Sequence, residues 1–386
     1  MKRMFRRTAV AAYTIVAFPL LFVFFVCLAI ISRAARRPID VGLGPQPLIN
    51  NVFHKRALEK AGHRAETFVT HFYYITEDFD MTCKGWPVRL ASPWMAMIAL
   101  FRYKILYIYF HGGPLAWTPL RGVEPWIFKL AGIKVLVMPY GADVQDLTHC
   151  PHYPFKHVMN VDYPDFMRQQ TKISSRITRW TRHADHIISG CDWVDYTPRW
   201  DTLCLAHFSI DTDECLGLEA GGPPQGPVTV LHAPNHEAIK GTRFFESAVS
   251  ELRDEGYDVE LKILRKVPNH ELRKAIAEAH IIADQLVVGW YAMFALEGMC
   301  AGKPVLCHLR EDLVRLYEFA GLVEPGEIPL VNCDRTTVTD RLRELLDDPT
   351  RIDKVGRASR EYVVRHHSLE AVGDMFAQAN KVMFGR

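Results

Sequence analysis

Acidic residues are missing from the first 39 positions, where seven Lys or Arg precede Asp40. Beyond Arg37 the 386-residue chain carries 39 basic against 44 acidic residues, so an acidic body of net charge −5 follows a strongly cationic leader. That balance excludes a general nucleic-acid binder, which neutralises many phosphates with Lys and Arg. The nine Cys include no C-x-x-C pair and follow no regular spacing, which excludes a zinc framework and predicts reduced thiols. No Asn-x-Ser/Thr sequon occurs either. Both absences fit a body facing a reducing cytoplasm. No G-x-G-x-x-G follows an apolar run, so the dinucleotide fingerprint is lacking. Gly298 to Pro304 is not a phosphate loop, because three residues rather than four separate its glycines and Pro304 follows Lys303. Repeats and low-complexity tracts are absent.

What is present starts with an apolar run. From Thr8 to Ser32 there is no charged residue, His, Asn or Gln, and 25 such residues as a helix extend about 37 Å, enough to cross a bilayer. The run exceeds a secretory h-region and Ile30-Ile31-Ser32-Arg33 is a poor cleavage site, so residues 1–38 are expected to be an uncleaved N-terminal transmembrane helix. Lys2, Arg3, Arg6 and Arg7 on one side nearly balance Arg33, Arg36 and Arg37 on the other, leaving orientation open. Pro19 also permits a kinked or re-entrant segment.

After residue 38, short β-rich runs alternate with amphipathic stretches, the pattern of parallel α/β sheets. Strands are expected at 67–75, 105–110, 134–139 and 186–189, within a domain of residues 39–220. Residues 221–227 are six-sevenths Gly or Pro and read as a linker. The second domain, 228–366, should run strand 228–233, helix 243–255, strand 259–264, helix 269–279, strand 281–286, helix 291–300 and strand 304–308. Phe245, Ala248, Val249 and Leu252 fall at i, i+3, i+4 and i+7, as do Leu272, Ala275, Ile276 and Ala279. Residues 367–386 form a last helix that can pack back on the first domain. Two doubly wound domains with a cleft between them follow, and ligands bind such sheets beyond the carboxyl ends of the strands.

The junction after strand 228–233 ends in Lys240-Gly241-Thr242. A capping Thr, a Gly that admits close backbone approach and a Lys near a positive helix end suit an anion, phosphate above all; an ordinary solvated loop is the alternative. Glu297 lies among apolar helical neighbours, where a carboxylate can accept from two hydroxyls of a ribose or pair with a base.

The order of linker, strand, Lys240-Gly241-Thr242, helix, then Glu297-Gly298-Met299-Cys300-Ala301-Gly302-Lys303-Pro304-Val305 resembles the donor domain of glycosyltransferase family 4. Gly141-Ala142-Asp143, Ala184-Asp185-His186 and Ile210-Asp211 resemble turns of its first domain. The resemblance implies a GT-B fold, two Rossmann-like domains enclosing a cleft, and a nucleotide-sugar donor with no cofactor and no metal. It implies donor contacts from Lys240, Gly241, Thr242, Asn235, Gly289, Trp290, Tyr291 and Glu297, with Glu297 on the ribose and Lys240 stabilising the leaving diphosphate. Departures from the pattern are Gly289 where a second Glu is usual, Asn235 for Arg, and Tyr140 for His.

For the acceptor side the candidates are Asp143 as a catalytic group, with Tyr140, Gly141, His111, Gly112 and Gly113 nearby; His111 can equally be a core histidine and Asp143 a turn residue. Arg168, Lys172, Arg176, Arg179 and Arg182 recur at helical spacing, opposite Ile173, Ile177, Trp180 and Ala184. Beside anionic headgroups each basic residue is worth about 1 kcal/mol, so this stripe is expected at a membrane. His149, Cys150, His152 and His157 match no metal spacing. The expectation is a bacterial, membrane-anchored, retaining glycosyltransferase. It acts on a lipid-linked or membrane glycan acceptor in polysaccharide or glycoconjugate synthesis, at the inner membrane, with its body in the cytoplasm. A nucleotide-sugar epimerase and a catalytically degenerate scaffold are the alternatives.

Overall fold

A computed structural model describes residues 2–72, 76–215 and 226–385, with side chains described from residue 16 onward. Helix α1 (Lys2–Ser32) leads into a first sheet, and elements β1 (Ile39–Leu43), α2 (Asn50–Lys60), β2 (Ala65–Val69), β3 (Met81–Thr82), α3 (Val88–Arg102) and β4 (Tyr103–Tyr109) build its first half. The second half holds α4 (Glu124–Ala131), β5 (Lys134–Met138), α5 (Tyr153–Asp162), α6 (Pro164–Met167), α7 (Gln170–His183), β6 (His186–Ser189) and β7 (Thr202–Leu203). All neighbours pair in parallel, in the order β3-β2-β1-β4-β5-β6-β7. Most of the linker expected at 221–227 lies outside the described residues, as does the end of the strand expected at 67–75.

The second sheet follows with β8 (Val228–His232), α8 (Glu237–Lys240), α9 (Thr242–Asp254), β9 (Val259–Ile263), α10 (Asn269–Glu278), β10 (Ile281–Gln285), α11 (Met293–Cys300), β11 (Val305–Cys307), α12 (Glu311–Phe319), β12 (Val331–Asn332) and α13 (Val338–Asp347). Its order is β12-β11-β10-β8-β9, again parallel. Each sheet therefore reverses direction once, between β1 and β4 and between β8 and β10. Such switch points open a crevice at the carboxyl ends of the strands. Phe245, Ala248, Val249 and Leu252 of α9 are buried against this sheet, because one apolar stripe is all a crossover helix has to hide. Helices α14 (Pro349–His367) and α15 (Leu369–Met383) close the chain. Val372, Phe376, Ala379 and Met383 of α15 share a core with Val41, Leu43 and Tyr107, so the last helix packs on the first sheet.

Two expectations are corrected. Among the described residues no helix is long and apolar enough to cross a membrane; the first part of the Thr8–Ser32 run lies outside the described side chains. From Phe18 onward α1 lies against the body: Phe25, Ala29 and Ser32 are fully buried, and the helix packs on α3, α4 and the turn at Pro119–Gly122. Leu20 and Val23 point outward at 69% and 62% exposure. The apolar run thus has a protein side and an open side, which composition alone could not reveal. Nor are all thiols free. Cys215 and Cys300 form a disulfide with Cα atoms 6.0 Å apart, and the remaining seven Cys are unpaired.

Candidate active site

On the second domain, β8 ends at His232 and a loop leads to the single turn α8. Lys240 Nζ donates to Asp284 Oδ1 at 2.6 Å, and Asp284 is fully buried at the end of β10. Gly241 has φ +78°, and a Cβ there would stand 3.0 Å from Leu286 Cβ; glycine lets the turn press against the loop after β10. Thr242 does not cap α9. It is the first helical residue, and its Oγ1 lies 2.9 Å from His232 Nε2, whose other ring nitrogen is 2.7 Å from the Ala283 carbonyl. Burial pushes the His232 pKa down to about 4, so the ring is neutral near pH 7. The Lys240 charge is shared with Asp284, and its side chain is not part of the wall of the interdomain cavity.

A cavity of about 630 Å³ opens at this junction between the two domains. His152 and His157 line it from α5 and the loop before it, and Thr242, Arg243, His308 and Arg335 line it from the second domain. The size is that of pockets for nucleotide-sized ligands. Sequence reasoning missed Arg243, although it directly follows the Lys-Gly-Thr turn, and it missed Arg335 and His308, which only the sheet order brings there.

Other expected donor residues lie elsewhere. Glu297 is 8% exposed, accepts from Asn269 Nδ2 at 2.7 Å, and borders a separate narrow crevice with Asp211, Glu214 and Arg273. Burial raises its pKa. Asn235 is exposed on the loop before α8 and has no side-chain hydrogen bond among the described residues. Trp290 and Tyr291 are buried and dock elements together: Trp290 Nε1 donates to the Leu205 carbonyl at 2.9 Å, and Tyr291 Oη meets Tyr362 Oη at 2.8 Å and His367 Nε2 at 2.9 Å. Gly289 has φ +100°, and a Cβ there would lie 2.6 Å from Arg310 Cδ. No carboxylate side chain fits at 289 while Arg310 keeps its ion pair with Asp195 of the first domain.

Across the cleft, His111-Gly112-Gly113 follow the end of β4. Glu124 of α4, 1% exposed, accepts from the N–H groups of Gly113 at 3.0 Å and Leu115 at 2.5 Å. After β5, Asp143 turns back on its own loop: Oδ1 accepts from the Tyr140 N–H at 2.9 Å, the residue is fully buried, and Oδ2 has no partner among the described residues. Burial pushes both carboxyls up to about 7. Asp143 therefore shapes the Tyr140–Gly141 turn, the alternative the sequence offered beside its acceptor role, and its side chain is fully buried. Gly141, at φ +111°, approaches Trp193. His111 borders a second cavity, and burial with Arg176 nearby holds its pKa down to about 3.

The basic stripe divides. Lys172, Arg176 and Arg179 line the same cavity as His111, whereas Arg168 pairs with Asp165 and Arg182 is exposed outside it. Ile173, Ile177, Trp180 and Ala184 are buried on the opposite side of α7 or at its end. Among the described residues no group of three or more His, Cys, Asp or Glu could hold a metal ion.

Two doubly wound parallel sheets facing each other across a cleft, tied by a terminal helix that returns to the first, are the GT-B arrangement. No protein-family profile matches the chain, and no curated protein matches it. In three dimensions it is similar to HepE of Anabaena solved with UDP-glucose, with a TM-score of 0.57 and 11% identity over 89% of this chain and 100% of that one. It is also similar to an α-glucosyltransferase solved with UDP and a 13-mer DNA containing a central A:G mismatch, with a TM-score of 0.56, 12% identity and the same coverage. At such identities the likeness is one of fold.

Proposed function

We propose that the protein is a membrane-associated glycosyltransferase. It moves a sugar from a nucleotide-diphosphate donor to a lipid-linked or membrane glycan acceptor, with retention and without a metal, in bacterial polysaccharide or glycoconjugate synthesis. The observation that carries this reading is the 630 Å³ interdomain cavity lined by Thr242 and Arg243 at the strand-to-helix junction of a GT-B fold. Sugar transfer asks the protein to stabilise charge developing on a leaving diphosphate and to hold the acceptor in line. Arg243, the backbone around Gly241 and a Lys240 shared with Asp284 serve the first need. Attachment is monotopic, through the open side of α1, at the cytoplasmic membrane with the body in the cytoplasm. Both fold neighbours were solved with a uridine nucleotide, which makes UDP-glucose the first donor to try; the acidic body argues against DNA as acceptor.

The Lys240–Asp284 pair is the observation that favours a scaffold that binds donor and does not turn it over. One experiment separates the readings: detergent-purified protein is incubated with a panel of nucleotide sugars, with and without bacterial lipid extract, and nucleotide release is followed. Lipid-dependent release is expected. An epimerised donor without release, or binding without turnover, overturns the transfer reading.

A further inference from the structure

The second cavity, about 240 Å³, belongs to the first domain and lies at the carboxyl end of β4. It is smaller than the pockets that take drug-sized molecules, which start near ~300 Å³. Its walls bring Arg121, Lys172, Arg176 and Arg179 together around His111 and Glu124. Four cations thus face one carboxylate, and that carboxylate already accepts from two backbone N–H groups. Among the described residues none of the four basic side chains forms a hydrogen bond or ion pair, unlike those of Lys240 and Arg310. Arg176 and Arg179 are part-buried, and burial lowers the pKa of both, offset only in part by Asp143 near Arg176 and Glu124 near Arg179. Holding guanidinium groups half out of water and unpaired costs free energy unless an anion completes the site. Three guanidinium forks in one pocket suit a phosphate or diphosphate, whose oxygens accept in pairs.

An apolar surface adjoins this pocket. Arg121 stands on the turn at Pro119–Gly122, which packs against α1, and α1 also packs on α4. From α4, Trp126 projects at 65% exposure, and Val16, Leu20, Val23 and Ile30 of α1 are also exposed. Trp117, 42% exposed, lies 5.1 Å ring to ring from His111. An anion pocket bordered by a strip of exposed aliphatic and tryptophan side chains has the polarity of a phospholipid: headgroup at one end, chain at the other.

We propose that this pocket binds the phosphate or diphosphate headgroup of a lipid-linked acceptor, with the lipid chain running along α1 and α4. The inference rests on the transfer reading above and adds where, and by which chemical group, the acceptor is held. Arg176 and Arg179 grip the phosphate oxygens, and Arg121 closes the side nearest the membrane strip.

The test is sedimentation of the full chain with phosphatidylcholine vesicles containing 10 mol % phosphatidic acid. Arg176→Gln/Arg179→Gln is expected to weaken binding at least tenfold. The charge-matched control Lys274→Gln/Lys354→Gln, exposed on the second domain away from the pocket and the strip, is expected to change it less than twofold. Equal losses in the two double variants would show diffuse surface attraction and overturn the pocket. If the arginine double variant does not fold, Arg121→Gln, on an exposed turn, provides the same comparison. Inorganic pyrophosphate, titrated calorimetrically, distinguishes a soluble source: binding as tight as to the vesicles overturns the lipid. Lipid-dependent nucleotide release that persists unchanged in the arginine variants refutes this proposal and leaves sugar transfer standing. Vesicle binding by a wild-type protein that releases no nucleotide refutes transfer and not the pocket.

Discussion

Replacing Lys240 by Ala separates two roles that one side chain combines. The ammonium sits 2.6 Å from Asp284 Oδ1, with Lys240 15% and Asp284 0% exposed. Removing one member of a buried pair leaves an uncompensated charge and costs about 3–5 kcal/mol. At roughly 2–4 °C per kcal/mol for a domain of this size, the second domain should melt about 6–20 °C earlier. Adding Asp284→Asn removes the orphaned charge and should restore most of that loss. If Lys240 also stabilises the donor diphosphate, the double variant remains defective in binding UDP-glucose. A charge-assisted hydrogen bond of about 1.5–3 kcal/mol corresponds to a Kd raised roughly 10- to 100-fold. Differential scanning fluorimetry reads the first effect and titration calorimetry the second. A Lys240→Ala protein melting within 1 °C of wild type refutes the structural pair. A double variant that is stable and binds donor like wild type refutes the donor role.

Gly289→Ala forces a Cβ onto the Arg310 methylenes at a φ of +100°; a loss of about 2–4 kcal/mol is expected by urea unfolding, and a neutral result would mean the Arg310–Asp195 tie is not needed. Burial raises Asp143 to about 7, above its unfolded value near 4, so the folded state binds the extra proton and stability falls as pH rises between those values. Asp143→Asn should therefore gain on wild type at pH 8 relative to pH 4.5, and melting curves showing no such crossover would count against the buried carboxyl. The Cys215–Cys300 bond closes 85 residues of chain, for which loop entropy gives about 4.6 kcal/mol. Alkylation under denaturing, non-reducing conditions should label seven thiols, and labelling of nine would show that the bond does not form.

Much of the scaffold was legible because its signals are local. The stripe Phe245–Leu252 needs only helical spacing to declare a buried face, and Lys240-Gly241-Thr242 can be located at a strand-to-helix junction without coordinates. The boundaries of α9, β9, α10 and β10 consequently lie within one residue of the periodicity. The site was less legible. Lys240 stood out, but its partner Asp284 lies 44 residues away, and a pattern records no distance across a sheet. Trp290 and Tyr291 were donor contacts only by family resemblance; in the fold they are wedged against Leu205, Tyr362 and His367. Asp143 carried the right residue type for catalysis and points into its own turn.

The opening charge split and apolar run are properties of the chain alone: a cationic, acid-free leader, an acidic body, two alternating α/β halves and one basic helix face. These follow from composition and from periods of two and 3.6 residues, which act over a few positions. Tertiary structure alone decided that one side of α1 is spent on α3 and α4, and that Cys215 meets Cys300. It alone decided that Glu297 and Thr242 open onto different spaces, and that Arg121 joins Arg176 and Arg179 in one pocket. Those outcomes depend on strand order and on which faces remain after packing, so residues far apart in the chain determine them jointly.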